Sequence, residues 1–417
     1  MTACRAVLVS APASGQGKTL ITAALARAWR KQGLRVQAFK CGPDFLDPMI
    51  LEVATGQPVY QLDFTMCGEN DCRARLYKAA QQADLIIIEG VMGLYDGTPS
   101  SADIAIRFDV PVLINIDASG MAQTFGAIAS GLLNFNPQLK SAGVLANKVG
   151  SVGHAKLLRN ALPAHLTWFG ALQKDTLYQL PERHLGLFRA DEIDNLDEKI
   201  EAAANTLMAD LPLPPKVNFY APDVANTPQL LKNKTIAIAK DEAFCFIYQA
   251  NVDCLKNMGA TLQFFSPLND EHLPEADAYW LPGGYPELHL AQIGANHAMQ
   301  QAFKNAFEAN KPILAECGGM MALSDSINGQ AAFGLLAGKS QIQPKLQGLG
   351  SLKAPLTDGE IGAHTFHYGS FETALPPIAQ AKSLFGVENI YQHDSITASF
   401  LHFYFASNPQ VAARFFL

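Results

Sequence analysis

The sequence predicts an α/β protein of two domains, each a parallel sheet covered by helices. Three observations lead there. Apolar runs such as Ala6-Val7-Leu8-Val9 and Leu85-Ile86-Ile87-Ile88 read as strands buried on both faces. They alternate with stretches of helical periodicity, such as 20–29 and 122–133, the pattern of βαβ units. The chain has 417 residues, too many for one ordinary domain, and Leu211-Pro212-Leu213-Pro214-Pro215 interrupts it midway before a polar stretch to Asn233. The expected division is a first domain over 1–210, a connection over 211–233 and a second domain over 234–417.

Taken in order, the first strand, 6–10, runs into Ala11-Pro12-Ala13-Ser14-Gly15-Gln16-Gly17-Lys18-Thr19 and then a helix. Strand, glycine loop, Lys-Thr and helix make a phosphate cradle. Gly15 and Gly17 let the backbone approach a nucleotide phosphate, Lys18 brings a positive charge, and the Thr19 hydroxyl can ligate magnesium. Pro12 stands where the strict pattern has glycine, so the loop is a variant. A second strand, 35–40, leads into Cys41-Gly42-Pro43-Asp44-Phe45-Leu46-Asp47-Pro48. Asp44 and Asp47 are turn formers by type, and beside a phosphate loop they are candidates for magnesium or substrate positioning. The run 83–88 ends in Glu89, the form of a Walker B acid that holds magnesium directly or through water. Asp96 follows in a glycine-rich loop on the same rim. Strands over 111–117 and 142–148 complete this half, and Asn147 and Lys148 end the latter where a nucleotide base can be contacted.

The second half starts a new strand at 235–239, followed by Asp241-Glu242-Ala243-Phe244-Cys245-Phe246 and a helix to Met258. A strand over 276–281 ends in Pro282-Gly283-Gly284. Another, 311–316, runs into Cys317-Gly318-Gly319 and a helix start. That is a nucleophile elbow, with the thiol at a helix N-terminus that favours thiolate. Gly318 and the Gly283-Gly284 turn can supply oxyanion-hole donors. A cysteine nucleophile needs a base, and the spacing leaves His402, in the strand near the C-terminus, open against His364 and His367.

Bulk properties narrow the class. A hydrophobic content of 49% with 17% charged residues suits a sizeable core. The net charge of −7, with no basic run, argues against a nucleic-acid partner. No apolar segment is long enough to span a bilayer, and the start lacks a signal-peptide layout. The seven cysteines form no Cys-x-x-Cys pair, so neither a zinc site nor a disulfide framework is indicated, and a cytoplasmic location is expected.

Ser14–Thr19, Lys40–Pro48, Glu89–Gly97, Asp241–Phe246, Leu281–Glu287 and Ala315–Met320 occur in an order that resembles the cobyrinic acid a,c-diamide synthase family of cobalamin biosynthesis. The resemblance runs from the phosphate loop to Leu401-His402. It implies a dethiobiotin-synthetase-like ATP domain joined to a class I glutamine amidotransferase domain. Carried over position by position, Cys317 is the nucleophile and His402 its base. Thr19, Asp44 and Glu89 gather magnesium, and Leu46, Asp47 and Asp96 lie near the carboxylate being activated. Tyr404 stands where many class I amidotransferases have glutamate, which implies slow glutaminase turnover until the other site is loaded. The implied partners are a corrinoid or related tetrapyrrole carboxylate, glutamine, and ATP with magnesium; a homodimer is an open expectation, since the sequence does not reveal the oligomeric state. Rival expectations are the same chemistry on nickel-sirohydrochlorin, amidation at other positions as in a cobyric-acid-synthase-like enzyme, or a partitioning-type ATPase switch.

Overall fold

The computed structural model describes residues 1–183, 186–222 and 228–417. The chain divides into two compact units, residues 1–64 with 69–224 and residues 65–68 with 225–417.

In the first unit the parallel strands are β1 (Thr2–Ser10), β2 (Val36–Cys41), β3 (Tyr60–Leu62), β4 (Leu85–Glu89), β5 (Val112–Asp117), β6 (Ser141–Val149) and β7 (Trp168–Gln173). They are ordered β3-β2-β4-β1-β5-β6-β7 and all run parallel. Between β1 and β2 lies α1 (Lys18–Lys31), and after β2 comes α2 (Leu46–Thr55). Every residue of β4 is buried, as a strand covered on both faces requires. A helix at Leu196–Leu207 packs Ile200, Ala203, Ala204 and Leu207 into the core that α1 also enters. Arg27 pairs with Asp197 and Glu201, and Lys31 with Glu201, across that contact.

The stretch expected to be a bare connection, 211–233, contains a strand. Lys216–Phe219 adds antiparallel to the start of β1, pairing Thr2 with Phe219 and Arg5 with Lys216. Its alternation, with Val217 and Phe219 buried and Lys216 and Asn218 exposed, is that of a strand with one wet face. The brevity of that alternation hid it beside the prolines. Residues 223–227 of the same stretch lie outside the described residues.

The second unit holds a seven-stranded sheet in the order Thr261–Phe265, Thr235–Ala239, Ala278–Leu281, Ile313–Glu316, Ile396–Ser399, Gly386–His393 and Pro377–Ser383. Its first five strands are parallel and its last two antiparallel. A separate antiparallel sheet joins Gly348–Leu356, Gly359–His367 and His402–Tyr404. The residues singled out for chemistry in each unit sit at or just past the carboxyl ends of parallel strands, or on this second sheet.

Candidate active sites

Gly17 begins α1 in the left-handed region at φ 78°, and a Cβ there would stand 2.6 Å from Asn147 Nδ2. Only glycine meets both demands. The loop is braced from beneath: Asn115 and Asn147 each donate a side-chain N–H to the Gln16 carbonyl, at 2.9 and 3.0 Å. Asn147, expected at the base, thus also supports the loop, while Lys148 pairs with Asp117 at 2.8 Å. Lys18 Nζ donates to the carbonyls of Met92 (2.6 Å) and Ala13 (3.3 Å). Burial and the neighbouring Lys40 lower its pKa.

Beside the loop is a cluster whose central member the sequence reading missed. Lys40, the penultimate residue of β2, is 3% exposed, and its Nζ lies 2.5 Å from Asp47, 3.1 Å from Glu89 and 3.8 Å from Asp44. Burial works against its charge, but Asp47, Glu89 and Asp44 outweigh this and hold it protonated. Thr19 Oγ1 lies 2.8 Å from Glu89 Oε1 and 3.1 Å from Asp47 Oδ1. The carboxylates are tuned apart. Burial and the charge of Asp47 push Glu89 up to about 7 and raise Asp44 well above the usual carboxylate range. Burial would raise Asp47 too, but the Lys40 ammonium and hydrogen bonds bring it below that range. Asp44 Oδ1 accepts the Leu46 and Asp47 N–H groups, so the turn-forming role is realised as well. The signal for Lys40 was present: a lysine in a strand buried on both faces needs carboxylate partners.

These groups line one cavity of about 700 Å³, together with Ser14, Gly15, Gly17, Lys18, Asn147 and Lys148. Leu46 and Asp96, also expected there, are not among its lining residues. Asp96 instead accepts the Gly93 N–H at 3.1 Å. The residues fit magnesium. Glu89 Oε2 is fully buried and has no hydrogen-bond partner among the described residues, and it stands among hard oxygen donors. Among the described residues no three His, Cys, Asp or Glu side chains form a metal cage by themselves, so phosphates and water would complete the ion's shell.

In the second unit Cys317 follows the strand Ile313–Glu316 with φ 47° and ψ −108°, a strained turn that begins the helix Gly318–Leu323. Its N–H donates to the Ser399 carbonyl at 2.7 Å. Burial chiefly, then the Glu287 carboxylate, pushes the thiol up, and the Gly318 N–H draws it back. The Gly284 amide nitrogen lies 3.0 Å from where a Cβ would stand on Gly318, so both expected oxyanion donors sit on adjoining backbone. His402 packs its ring on Gly283, where a Cβ would meet Cε1 at 2.2 Å. The glycine turn, the elbow and His402 are therefore neighbours.

His402 is 2% exposed, and burial, then His364 and His367, drive its pKa well down. His364 stacks on it at 4.6 Å and 15°, held by Tyr248 OH at 2.7 Å from Nδ1. Burial lowers His364 to about 3. Tyr404 is fully buried against Tyr248. His367 is engaged elsewhere: Nε2 lies 3.2 and 3.3 Å from the two Glu388 oxygens, and the ring stacks on Phe400 at 4.0 Å.

A phosphate loop with an acid cluster on one unit and a cysteine elbow on the other define a nucleotide-binding domain joined to a glutamine amidotransferase domain, the build of a glutamine-dependent ligase. Comparison with known proteins agrees. Residues 7–187 match the CobQ/CobB/MinD/ParA nucleotide binding domain and residues 235–410 the CobB/CobQ-like glutamine amidotransferase domain. The chain is 50% identical to a hydrogenobyrinate a,c-diamide synthase of Stutzerimonas stutzeri, covering 98% of both chains. It is 49% identical to the enzyme of that name from Pseudomonas aeruginosa, covering 98% of this chain and 97% of that one. A cobyrinate a,c-diamide synthase of Herminiimonas arsenicoxydans is 47% identical over 99% and 96% of the two chains. The chain belongs to the cobyrinate and hydrogenobyrinate a,c-diamide synthase family.

Proposed function

We propose that this chain amidates the a and c acetate carboxylates of a corrin ring, cobyrinate or hydrogenobyrinate, using ATP and glutamine in cobalamin biosynthesis. What chiefly supports this is the presence, on one chain of that family, of a thiol elbow facing a glycine turn and a phosphate loop facing a carboxylate cluster.

In the amidotransferase unit Cys317 Sγ attacks the side-chain amide carbon of glutamine. The oxyanion is received by the Gly284 and Gly318 N–H groups. His402 gives a proton to the leaving nitrogen, and ammonia departs from the thioester. His402 then takes a proton from water, which attacks the thioester and frees glutamate and the thiol. Because burial keeps His402 neutral and Cys317 protonated at rest, proton transfer between them must accompany attack.

In the nucleotide unit the substrate carboxylate attacks the γ-phosphorus of ATP and ADP leaves, giving an acyl phosphate. Ammonia adds to its carbonyl and phosphate departs. A free carboxylate does not react with ammonia, since oxide is too poor a leaving group. Gly15 and Gly17 let the loop close on the phosphates, and Lys18 neutralises charge on the transferring group. Thr19, Asp44 and Glu89 would hold magnesium, which supplies charge neutralisation at the phosphates when bound. Asp47 orients Lys40 and Thr19 and lines the cavity that would receive the substrate carboxylate. Asn147 reaches the base. The chain works in the cytoplasm.

Purified protein offered cobyrinate, hydrogenobyrinate and nickel-sirohydrochlorin with ATP, magnesium and glutamine tests this by mass spectrometry. Two hydroxyl-to-amino exchanges on one of the first two substrates are expected. No exchange on either overturns the proposal, and product from the nickel compound alone moves the substrate assignment.

A further inference from the structure

Glu316 ends the strand Ile313–Glu316, one residue before Cys317, and is 1% exposed. Along this strand Ile313 and Ala315 enter the core that holds Cys317. Leu314 enters another, with Trp280, Leu401, Phe403 and Phe405. By alternation Glu316 faces that second, apolar side. An acid there is doubly unfavourable. Burying a carboxylate costs free energy, and a negative charge beside the elbow opposes thiolate formation. An apolar residue would suit the core better, so the carboxylate needs another reason to be there.

Its two oxygens supply one. Oε1 accepts the backbone N–H of Phe403 at 2.7 Å, and Oε2 accepts the indole N–H of Trp280 at 2.8 Å. Phe403 follows His402. Trp280 lies on Ala278–Leu281, the strand that delivers Gly283 and Gly284. One side chain thus joins the elbow, the histidine segment and the oxyanion turn. The histidine segment depends on such ties. Among the described residues His402–Tyr404 pairs in the sheet with Gly359–His367 alone, and its other edge is held by side chains. Glu316 takes the Phe403 N–H, while Asn251 takes the Phe405 N–H at 2.8 Å and donates to the Phe403 carbonyl at 2.7 Å.

We propose that Glu316 is a positioning residue for ammonia release: its carboxylate clamps the His402 segment and the oxyanion turn onto the Cys317 elbow. Both partners are donors, so two acceptor oxygens are required, and no other side chain of this length offers them. Burial raises its pKa to about 8 even against the downward pull of the two N–H groups. The inference rests on the reading of this unit as a glutaminase.

The test uses the full chain and follows ammonia release from glutamine, amidation driven by added ammonia, and melting temperature. Glu316→Gln turns an amide N–H toward one of the two donors. Glu316→Leu removes both bonds but fills the space. Both variants should lose at least tenfold in kcat for glutamine, with KM for glutamine within about threefold of wild type and ammonia-driven amidation unchanged. Glu316→Leu should melt somewhat lower than wild type, since it leaves the Phe403 and Trp280 N–H groups without an acceptor, and the rates are therefore read well below its melting temperature. A fall in glutamine-driven kcat at a temperature where the variant is fully folded and ammonia-driven amidation is intact is what a purely structural residue would not give. Wild-type kcat in both variants overturns the clamp. A loss of activity that only tracks a loss of folded protein overturns it as well. Should Glu316→Leu not fold, Glu316→Asp decides: one methylene shorter, it cannot reach both donors, and retention of full kcat overturns the clamp. A wild-type chain that releases no ammonia from glutamine would instead strike the functional reading beneath it.

Discussion

The phosphate-loop site and the cysteine site both stand at the carboxyl ends of parallel strands, yet they solve burial in opposite ways. The first gathers charges. Lys40 sits among Asp44, Asp47 and Glu89, and their mutual attraction offsets desolvation. The second gathers neutral groups, with Cys317 held as a thiol and His402 and His364 as uncharged imidazoles. A charged cluster fails when one member is deleted, because the others are left uncompensated. A neutral site fails when geometry slips, because its groups do little until a substrate brings them together. Phosphoryl transfer needs standing charge, whereas thioester chemistry needs a proton moved at the right moment.

The largest effect should come from separating the two chemistries. Cys317→Ala is expected to abolish glutamine-dependent amidation while leaving amidation from added ammonia near wild type. Loss of both would make the cysteine structural and end the comparison. Glu89→Gln should reduce amidation from either nitrogen source by about 10²-fold or more. Wild-type rates would remove Glu89 from the phosphate site.

Next is a test of charge compensation. Lys40→Met strands the buried Glu89 and the half-buried Asp44 and Asp47 and should cost about 3 kcal/mol of stability in urea unfolding. If the acids and Thr19 can take magnesium, millimolar magnesium should raise the melting temperature of this variant more than that of wild type. Equal shifts would mean that the ion does not enter the cluster. In the neutral site His402→Ala should lower glutaminase kcat by about 10²–10⁴-fold, and His367→Ala by much less, since His367 is bound to Glu388. The reverse ranking would move the base to His367.

Much of this was legible in the sequence because the relevant physics is local. Apolar runs fixed the parallel strands, and glycines beside Lys18 and Cys317 marked where backbone comes close to a ligand. What stayed hidden depends on partners remote in the chain. Lys40 is one charge in an apolar strand, and only the fold brings Asp44, Asp47 and Glu89 to it. Glu316 reads as a polar residue beside an elbow until Trp280 and Phe403 are seen to aim at it. The pairing of His364 with His402 is a register fact, set by two antiparallel strands some forty positions apart. No spacing rule gives that register. A buried strand that nonetheless carries an ionisable side chain was the available signal, and it marks both Lys40 and Glu316.

The smallest effect concerns the cost of keeping a histidine neutral. His364 has its pKa lowered to about 3 by burial, against an ordinary value of 6.5. Below pH 6.5 the unfolded chain therefore takes up a proton that the folded chain refuses. Stability contributed by this group is whole above pH 6.5 and falls as pH drops toward 3, by about 1.4 kcal/mol per pH unit. His364→Phe keeps a ring against His402 but has nothing to protonate. Between pH 7 and pH 5 the wild type should lose about 2 kcal/mol more than this variant. The local opening free energy from amide exchange in the strand Gly359–His367 measures the difference. Parallel losses in the two proteins would mean that His364 is protonated in the fold at pH 5, and the neutral character assigned to this half of the comparison would fail with it.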